Sequence, residues 1–245
     1  MHMLQVRRLW VAACIALVGF SGSAWAQIPT SGLNLWLRSD GSFSVSGGRV
    51  ASWLDDSGTG RHASQMVSTS QPRLISPALN GYPVVRFDGA QMIATATPLY
   101  LSRWTIFVVG KYNNPNETFG LILGPGDNGN NQLRYENGSQ LLLYGGSNGM
   151  PVITSSIGNT RVYHALAVRY DGGSLNVFRD GVLKSSHGFS TSGSWVLGRI
   201  GSWFSSCSSC FLQGDLAEII VYDRALSESE RTSVNSYLRA KYALP

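Results

Sequence analysis

The sequence has few charged residues and few cysteines. Only 13% of its 245 residues are Asp, Glu, Lys or Arg, and 19 basic against 14 acidic side chains give a formal net charge of +5. No run of Lys or Arg forms the basic stripe that is typical of nucleic-acid-binding surfaces. A surface poor in charge and rich in Gly, Ser, Asn and Thr suits uncharged or weakly charged partners. We therefore expect no nucleic-acid partner.

The common motifs of hydrolytic enzymes are also missing. The chain contains no Gly-x-Ser-x-Gly nucleophile elbow and no His-Glu-x-x-His zinc helix. No second Cys pair or His-x-x-His accompanies the Cys-x-x-Cys at residues 207–210, so a zinc site of ordinary spacing is not predicted. Catalysis, if present, would have to be assembled from residues that lie far apart in the sequence.

Residues 1–26 have the three parts of a secretory signal peptide. Two arginines at positions 7 and 8 supply the positive region, Leu9–Phe20 is apolar, and Ala24-Trp25-Ala26 is a small-x-small cleavage site. The apolar run is shorter than the roughly 20 residues of a membrane-spanning helix, which disfavours a permanent anchor. We predict a secreted (periplasmic or extracellular) mature domain over residues 27–245 with no membrane span. Cleavage removes the two arginines and no acid, so the formal charge falls by two.

Only Cys207 and Cys210 remain after cleavage. In an oxidising compartment such a pair favours a disulfide, which would close a very short loop and act mainly by stiffening it. A redox role would require the pair to open a helix in a βαβ unit, whereas this one lies in a Ser-rich segment.

Short apolar runs separated by Gly, Asn, Asp and Ser dominate the mature chain, a pattern typical of strands and turns. The predicted strands are Leu33–Arg38, Arg49–Leu54, Val84–Phe87, Trp104–Lys111, Phe119–Leu123, Gln132–Glu136, Leu141–Tyr144, Val162–Tyr170, Leu175–Arg179, Trp195–Gly198 and Phe211–Tyr222. Hairpin turns are predicted at Asn137-Gly138, Asp171-Gly172 and Asp180-Gly181, because these residues tolerate positive φ. The pattern predicts an all-β antiparallel sandwich or jelly roll.

One helix is predicted near the C-terminus. Ser227 and Glu230 have the spacing of a capping box. Apolar residues then recur near a 3.6-residue period at Val234, Tyr237, Leu238 and Tyr242, which predicts one face packed on the sheet.

Several segments resemble the laminin G-like branch of the concanavalin A-like lectin/glucanase jelly-roll superfamily. The strongest is GDLAEIIVYDRALS at residues 214–227, which looks like that family's closing strand and helix entry. Further similar segments are LNLWL at 33–37, WLDDSG at 53–58, PVVRFDG at 83–89, YDG at 170–172 and FRDG at 178–181. The resemblance implies a two-sheet antiparallel jelly-roll sandwich with one C-terminal α-helix. It implies little about function, because this fold carries lectins, adhesion modules, glycanases and lyases.

Glycosidases of this superfamily carry a Glu-x-Asp-x-Glu strand, and none of the glutamates of the mature chain forms that pattern. A polysaccharide lyase would instead move a proton with Tyr, His, Arg or Lys, and the least unfavourable set is Tyr163, His164, Arg161 and Arg169. Strand alternation opposes even this set, because it places His164 on the core face and the other three on the opposite face. A core histidine is the alternative interpretation of His164.

Calcium is the metal that the sequence best accommodates. Asp55 and Asp56 open the loop Asp55–Gly60, which offers hard oxygen ligands and glycines that permit a tight bend. The alternative is a turn in which the aspartates accept hydrogen bonds from the local backbone. Calcium at Asp55 and Asp56 is therefore the candidate metal site, and we predict no other cofactor.

Glycan binding usually needs an aromatic face for the sugar ring, flanked by amides or charged groups. Trp203 and Phe204 lie next to the predicted disulfide loop, and Asn130, Asn131 and Tyr144 lie in Gly/Asn-rich segments that could line the same rim. We predict a secreted, non-catalytic domain that binds a polysaccharide or surface glycan through these five residues. The alternatives are a polysaccharide-degrading lyase or glycoside hydrolase on the same fold, and an adhesive module that binds another protein.

Overall fold

The computed structural model describes residues 28–114, 119–126, 129, 131–145, 153–188, 190, 193–203 and 210–245. The predicted signal peptide lies outside these residues. In the described ranges no helix combines the length and apolar character needed to cross a membrane.

The described chain is mostly strand, with a single α-helix at its C-terminal end. The strands are β1 (Leu33–Arg38), β2 (Phe43–Ser46), β3 (Arg49–Trp53), β4 (Ala63–Ser64), β5 (Arg73–Leu79), β6 (Tyr82–Asp88), β7 (Ile93–Leu101), β8 (Trp104–Tyr112), β9 (Phe119–Gly124), β10 (Gln132–Glu136), β11 (Gln140–Tyr144), β12 (Ile153–Ser156), β13 (His164–Tyr170), β14 (Ser174–Arg179), β15 (Val182–Gly188), β16 (Trp195–Ile200) and β17 (Gln213–Tyr222). The helix α1 spans Glu228–Tyr242.

All pairings among these strands are antiparallel, and they connect the strands into one large network. One run of neighbours, the helix-side series, is β5–β6–β17–β8–β13–β14–β15, with β1 also paired to β17. The other, the far series, is β2–β3–β4–β7–β16–β9–β10–β11–β12. Arg49 in β3 lies opposite Arg73 in β5 and joins the two series. The predicted antiparallel, mostly β fold with a C-terminal helix is therefore confirmed.

A large buried cluster draws apolar side chains from both series. Trp104 of β8 and Trp195 of β16 lie in it with ring centroids 5.3 Å apart, and both are fully buried. Val221 of β17 and Leu133 of β10 belong to the same cluster. The main core is therefore formed by residues that are far apart in the sequence.

A second buried cluster lies between the helix-side series and α1. Val234, Leu238 and Tyr242 of the helix pack in it with Phe107 of β8 and Ile220 of β17. The predicted apolar helix face is confirmed. Because β8, β13 and β17 contribute to both clusters, they are buried on both faces, which explains their nearly continuous apolar sequences.

The predicted hairpin turns agree with the backbone at two positions. Asn137-Gly138 and Asp180-Gly181 both have positive φ at each residue. Asp180-Gly181 forms a two-residue turn between β14 and β15, whereas Asn137-Gly138 are the first two of the three residues between β10 and β11. At Asp171-Gly172 only the glycine has positive φ, and the Asp171 carboxylate instead accepts hydrogen bonds from the N–H groups of Gly173 and Ser174. Asn80-Gly81, between β5 and β6, is a further turn in which both residues have positive φ.

The predicted strand Val162–Tyr170 is wrong at its start. The observed strand β13 begins at His164, and Val162 is 50% exposed. The predicted alternation holds from there, since His164 is fully buried and Leu166 and Val168 belong to the main core.

The capping box at the start of α1 is present as predicted. The Ser227 hydroxyl accepts a hydrogen bond from the Glu230 N–H at 3.3 Å, and the Glu230 carboxylate accepts one from the Ser227 N–H at 2.9 Å. We expect Ser227→Ala to lower the free energy of unfolding by about 1 kcal/mol. Chemical denaturation measures this loss. Ser236→Ala, at an exposed position in the same helix, should be neutral or slightly stabilising, and an equal loss in both variants would contradict the capping role.

Candidate functional site

One face of the hairpin formed by β10 and β11 carries polar side chains away from the core. Leu133, Tyr135, Leu141 and Leu143 point into the main core, so the alternating residues between them point the other way. The register places those residues in three opposed pairs, Gln132 with Tyr144, Arg134 with Leu142, and Glu136 with Gln140.

The two neighbouring strands extend this surface. On β9, Phe119 lies opposite Glu136, and Leu121 lies opposite Arg134. On β12, the exposed side chains Thr154 and Ser156 lie opposite Leu142 and Gln140. We call this surface the outer face, defined as Phe119, Leu121, Gln132, Arg134, Glu136, Gln140, Leu142, Tyr144, Thr154 and Ser156. Leu121, Gln132 and Leu142 are buried, and the other seven residues are partly or fully exposed.

Arg134 organises the centre of the outer face. Its Nε donates to Glu136 Oε2 at 2.8 Å and its Nη1 donates to Gln132 Oε1 at 2.8 Å. The guanidinium also lies 4.7 Å from the ring centroid of Phe119. The Arg134 and Glu136 side chains are 21% and 18% exposed. Gln132 is only 2% exposed, so its amide supports Arg134 from within the protein. The partly exposed guanidinium and carboxylate are therefore held in one orientation beside an aromatic ring, where they can donate and accept hydrogen bonds.

Two of the five predicted contact residues lie outside the described residues, namely Phe204 and Asn130. Tyr144 is partly exposed and belongs to the outer face. Asn131 is fully buried, and its Nδ2 lies 3.4 Å from the Gly145 carbonyl oxygen, so its amide joins the ends of the strands. The structure therefore does not present Asn131 as a ligand contact.

Trp203 lies at a different place, beyond the end of β16. It is partly buried, and its backbone N–H donates to the Cys210 carbonyl at 3.1 Å. A Cβ added at Gly124 would lie 3.1 Å from the Trp203 Cα, so the backbone at Trp203 packs closely on the end of β9. Cys210 is buried, and its predicted partner Cys207 lies outside the described residues, so the disulfide stays a prediction.

The predicted calcium loop has a well-defined hydrogen-bonding pattern. Asp55 is 8% exposed, and its carboxylate accepts hydrogen bonds from the N–H groups of Trp36, Ser57 and Arg61 and from two hydroxyl groups. These bonds outweigh the effect of burial and lower the pKa of Asp55. Asp56 forms an ion pair with Arg38 at 2.8 Å. A calcium ion would have to displace donors that already satisfy Asp55, and no cluster of three or more His, Cys, Asp or Glu residues suited to a metal occurs in the described part of the chain.

The four residues considered for a lyase are not brought together. His164 is fully buried, with Nδ1 2.7 Å from the Val162 carbonyl and Nε2 3.2 Å from the Tyr135 hydroxyl. Arg169 donates to the Leu226 carbonyl and to Asp171. It lies six residues from Tyr163, which corresponds to about 20 Å along an extended strand. The fourth residue, Arg161, lies in the turn before β13, near Gly138.

Tyr163 instead belongs to a polar cluster that the sequence did not reveal. Its hydroxyl donates to Asp215 Oδ2 at 2.7 Å, and Arg86 binds both oxygens of the same carboxylate at 2.7 and 2.9 Å. Asp215 is fully buried, yet the Arg86 and Tyr163 hydrogen bonds overcome burial and lower its pKa. Burial and the bond to Asp215 raise the pKa of Tyr163 above its ordinary value. A tyrosine held protonated in this way is poorly suited to abstract a proton.

Comparison with protein families gives one match. The family model Laminin_G_3, described as the concanavalin A-like lectin/glucanases superfamily, matches residues 87–230. The match includes β7 to β17 and the start of α1, and therefore every residue of the outer face. No curated protein matches the chain in sequence.

Solved structures of similar shape include enzymes and binding domains. Trypanosoma rangeli sialidase, in complex with 2,3-difluorosialic acid, has a TM-score of 0.61 and 15% identity over 89% of this chain. The chain spans about a third of that sialidase, 34% of its length.

Two binding-domain structures are also similar. Domain 4 of AbnA, a GH43 extracellular arabinanase from Geobacillus stearothermophilus in complex with arabinotriose, has a TM-score of 0.55 and 16% identity over 74% of this chain and 91% of that one. The binding domain of Paraclostridial Mosquitocidal Protein 1 has a TM-score of 0.60 and 13% identity, over 83% of this chain and 52% of that chain. At these identities the likeness concerns the fold alone.

Proposed function

Because this chain belongs to the concanavalin A-like lectin/glucanases superfamily, we propose that it is a secreted, non-catalytic domain that binds a polysaccharide or surface glycan. The outer face of β9 to β12 is the proposed binding surface. The proposed domain covers residues 27–245, and the signal-peptide pattern of residues 1–26 supports its secretion.

We also propose that the strand network is a two-sheet jelly roll. The helix-side series and the far series would be its two sheets, joined through the Arg49–Arg73 pair. The shared main core supports this arrangement, because it draws apolar side chains from both series, as the core of a β-sandwich does. In that arrangement α1 covers the outside of one sheet, and the outer face is the outside of the other.

The observation that carries the proposed function is the partly exposed Arg134–Glu136 pair beside Phe119, which the buried Gln132 amide supports. Sugar hydroxyl groups pair well with planar amide, guanidinium and carboxylate groups, and the apolar side of a sugar ring packs on aromatic rings. Here the planar groups hold each other at 2.8 Å, so a ligand would meet a surface that is already ordered. Tyr144 adds a partly exposed second aromatic ring at the other end of the Gln132–Arg134–Glu136 row.

A binding role is favoured over hydrolysis by the shortage of carboxylates on this face. Retaining and inverting glycosidases use two carboxyl groups about 5 to 9.5 Å apart. Among the described outer-face residues only Glu136 carries a carboxylate, and it is paired with Arg134. An arrangement with one ion-paired carboxylate supports recognition more than general acid–base chemistry.

We expect Arg134→Ala to weaken glycan binding at least tenfold, because the row loses its central donor and the Glu136 carboxylate loses its partner. Tyr144→Ala should weaken binding by a similar factor, because it removes the second aromatic ring that we propose contacts the sugar. A broad glycan array, with and without calcium, identifies the ligand, and isothermal titration calorimetry then gives the affinities. Arabino-oligosaccharides are the first probes, because a similar domain has been seen with arabinotriose.

The matched control is Arg73→Ala, which removes an exposed arginine on β5 of the helix-side series. It should leave the affinity unchanged. If the array shows no ligand under either calcium condition, the proposed function is wrong. If a ligand binds but neither Arg134→Ala nor Tyr144→Ala alters its affinity, the domain binds glycans through another surface. Release of reducing ends or unsaturated products from polysaccharides would instead support the enzyme alternative.

A further inference from the structure

A concave surface lies beside the outer face, where three elements meet. It is a groove of about 490 Å³ between the segment after β12, the β14–β15 hairpin and the C-terminal end of α1. Its side chains are Asn159, Arg179, Asp180, Val182, Lys184 and Arg239, with Pro245 at one side. Its volume falls within the range of about 300 to 1,000 Å³ that is typical of small-ligand sites.

Arg179 is the fixed part of this groove. Its side chain is 12% exposed, its Nε donates to Asp180 Oδ2 at 3.2 Å, and its Nη1 donates to the Ile157 carbonyl at 2.8 Å. A guanidinium has five N–H donors in a rigid plane, so these two bonds orient the group and leave donors for a ligand. A Cβ added at Gly158 would lie 3.5 Å from Arg179 Nη1, so the absent side chain leaves room beside the guanidinium.

Two further cations in the groove are exposed. Lys184 projects from β15 and Arg239 from the last turn of α1, and within the described residues neither side chain has a hydrogen-bond or ion-pair partner. Arg179 is already paired with Asp180. Three cationic side chains of the groove therefore face one anionic side chain, Asp180. The net charge of the groove is positive in a protein whose surface is otherwise poor in charge.

The groove also contains an apolar and an amide side chain, which could contact a sugar ring but would not bind a simple anion. Val182 is 58% exposed and supplies an apolar patch on which the C–H face of a sugar ring can pack. Asn159 is exposed and adds amide atoms for hydroxyl groups. Ser156 of the outer face is followed directly in the chain by Ile157 of the groove. The two surfaces therefore adjoin along the segment that follows β12.

We propose that this groove binds an acidic saccharide, through a carboxylate or sulfate group held by Lys184, Arg239 and Arg179. The choice of a saccharide rests on the proposed glycan-binding function, whereas the choice of an anion rests on the groove itself. The negative group occupies the space between the three cations, and the ring packs on Val182. The groove therefore adds selectivity for charged sugars to a domain whose outer face suits neutral ones.

The probe for this proposal is trigalacturonic acid, titrated into the full chain by isothermal titration calorimetry, with arabinotriose as the neutral comparison. We expect Lys184→Ala/Arg239→Ala to weaken trigalacturonate binding at least tenfold and to leave the thermal midpoint unchanged, because both side chains are exposed. Raising the NaCl concentration from 50 to 500 mM should weaken the same binding, since exposed charges are screened. The control Arg73→Ala removes one exposed cation elsewhere and should change neither result.

Each other outcome has a definite meaning. If neither trigalacturonate nor a sulfated trisaccharide binds, or if the double variant binds as the wild type does, the proposal is overturned. If sodium sulfate displaces trigalacturonate at equal concentration, the groove is a site for free anions and the saccharide assignment is overturned. Loss of neutral-glycan binding in Arg134→Ala tests the outer face separately, so failure of this proposal and failure of the proposed function are distinguishable.

Discussion

Replacing Lys241 with Met should lower the free energy of unfolding by about 3 to 5 kcal/mol, the usual cost of leaving a buried charge without its partner. Lys241 and Glu218 are both buried, with Nζ and Oε2 2.8 Å apart. The Glu218 carboxylate also accepts hydrogen bonds from Trp36 Nε1 and from the hydroxyls of Tyr237 and Tyr242. Lys241 is the single cation in contact with this carboxylate in the described part of the chain, so its loss leaves a buried charge uncompensated.

Replacing the other member of the pair, in Glu218→Gln, should lower the free energy of unfolding by less than Lys241→Met does. In Glu218→Gln, Lys241 keeps its 2.6 Å ion pair with Asp40, whose side chain is 32% exposed. Urea denaturation of both variants tests this order. Lys184→Met removes an exposed lysine and is the matched control, with an expected change within about 0.5 kcal/mol. If Lys241→Met changes stability no more than this control, the buried pair does not hold α1 on the sheet.

Stability should also fall by about 3 kcal/mol between pH 6.5 and pH 4 because of His164. Burial lowers the pKa of this histidine from 6.5 to about 4, although the hydrogen bond to the Val162 carbonyl acts in the opposite direction. As the pH falls, the unfolded chain therefore binds a proton at this side chain before the folded chain does. The contribution is fully present above pH 6.5 and is lost as the pH falls towards 4.

The measurement is a series of urea denaturations at pH 7, 6, 5 and 4.5. His164→Gln should be less stable than the wild type at pH 7, because the Tyr135 and Val162 groups lose a well-fitted partner, and its stability should vary less with pH. Carboxylates titrate in both proteins, so their contribution cancels in the comparison. If the free energy of unfolding falls equally with pH in the wild type and in His164→Gln, His164 is not the cause of the loss of stability.

The strands that the sequence predicted are those with strong apolar patterns, such as β1, β10 and β17. The strands that it missed are β2, β4, β5, β7, β12 and β15. Several of these are short, polar or lie at the end of a series. For example, β15 is largely exposed, and β5 contains Pro77. Their extended conformation depends on pairing with a neighbouring strand, and no local pattern records which neighbour is available.

The outer face could be predicted only in part. Alternation indicates that Gln132, Arg134 and Glu136 share one side of β10, but it does not say whether a partner covers that side. Tyr144 was predicted as a contact from its position in a Gly/Asn-rich region, and the register with β10 explains why it lies at the end of the row. Asn131 was predicted for the same reason and is buried, because composition does not report the direction of a side chain.

By itself, the sequence determined the features that depend on neighbouring residues. These are the antiparallel β class, the Asn137-Gly138 and Asp180-Gly181 turns, and the capped helix with its apolar face, and each depends on residues within a few positions of one another. Only the tertiary structure decided which distant residues meet. Asp215 joins Arg86 and Tyr163, Glu218 joins Lys241, and Arg179 joins Lys184 and Arg239 in one groove. The physical reason is that these contacts depend on sheet register and helix docking, which bring together segments up to 129 residues apart.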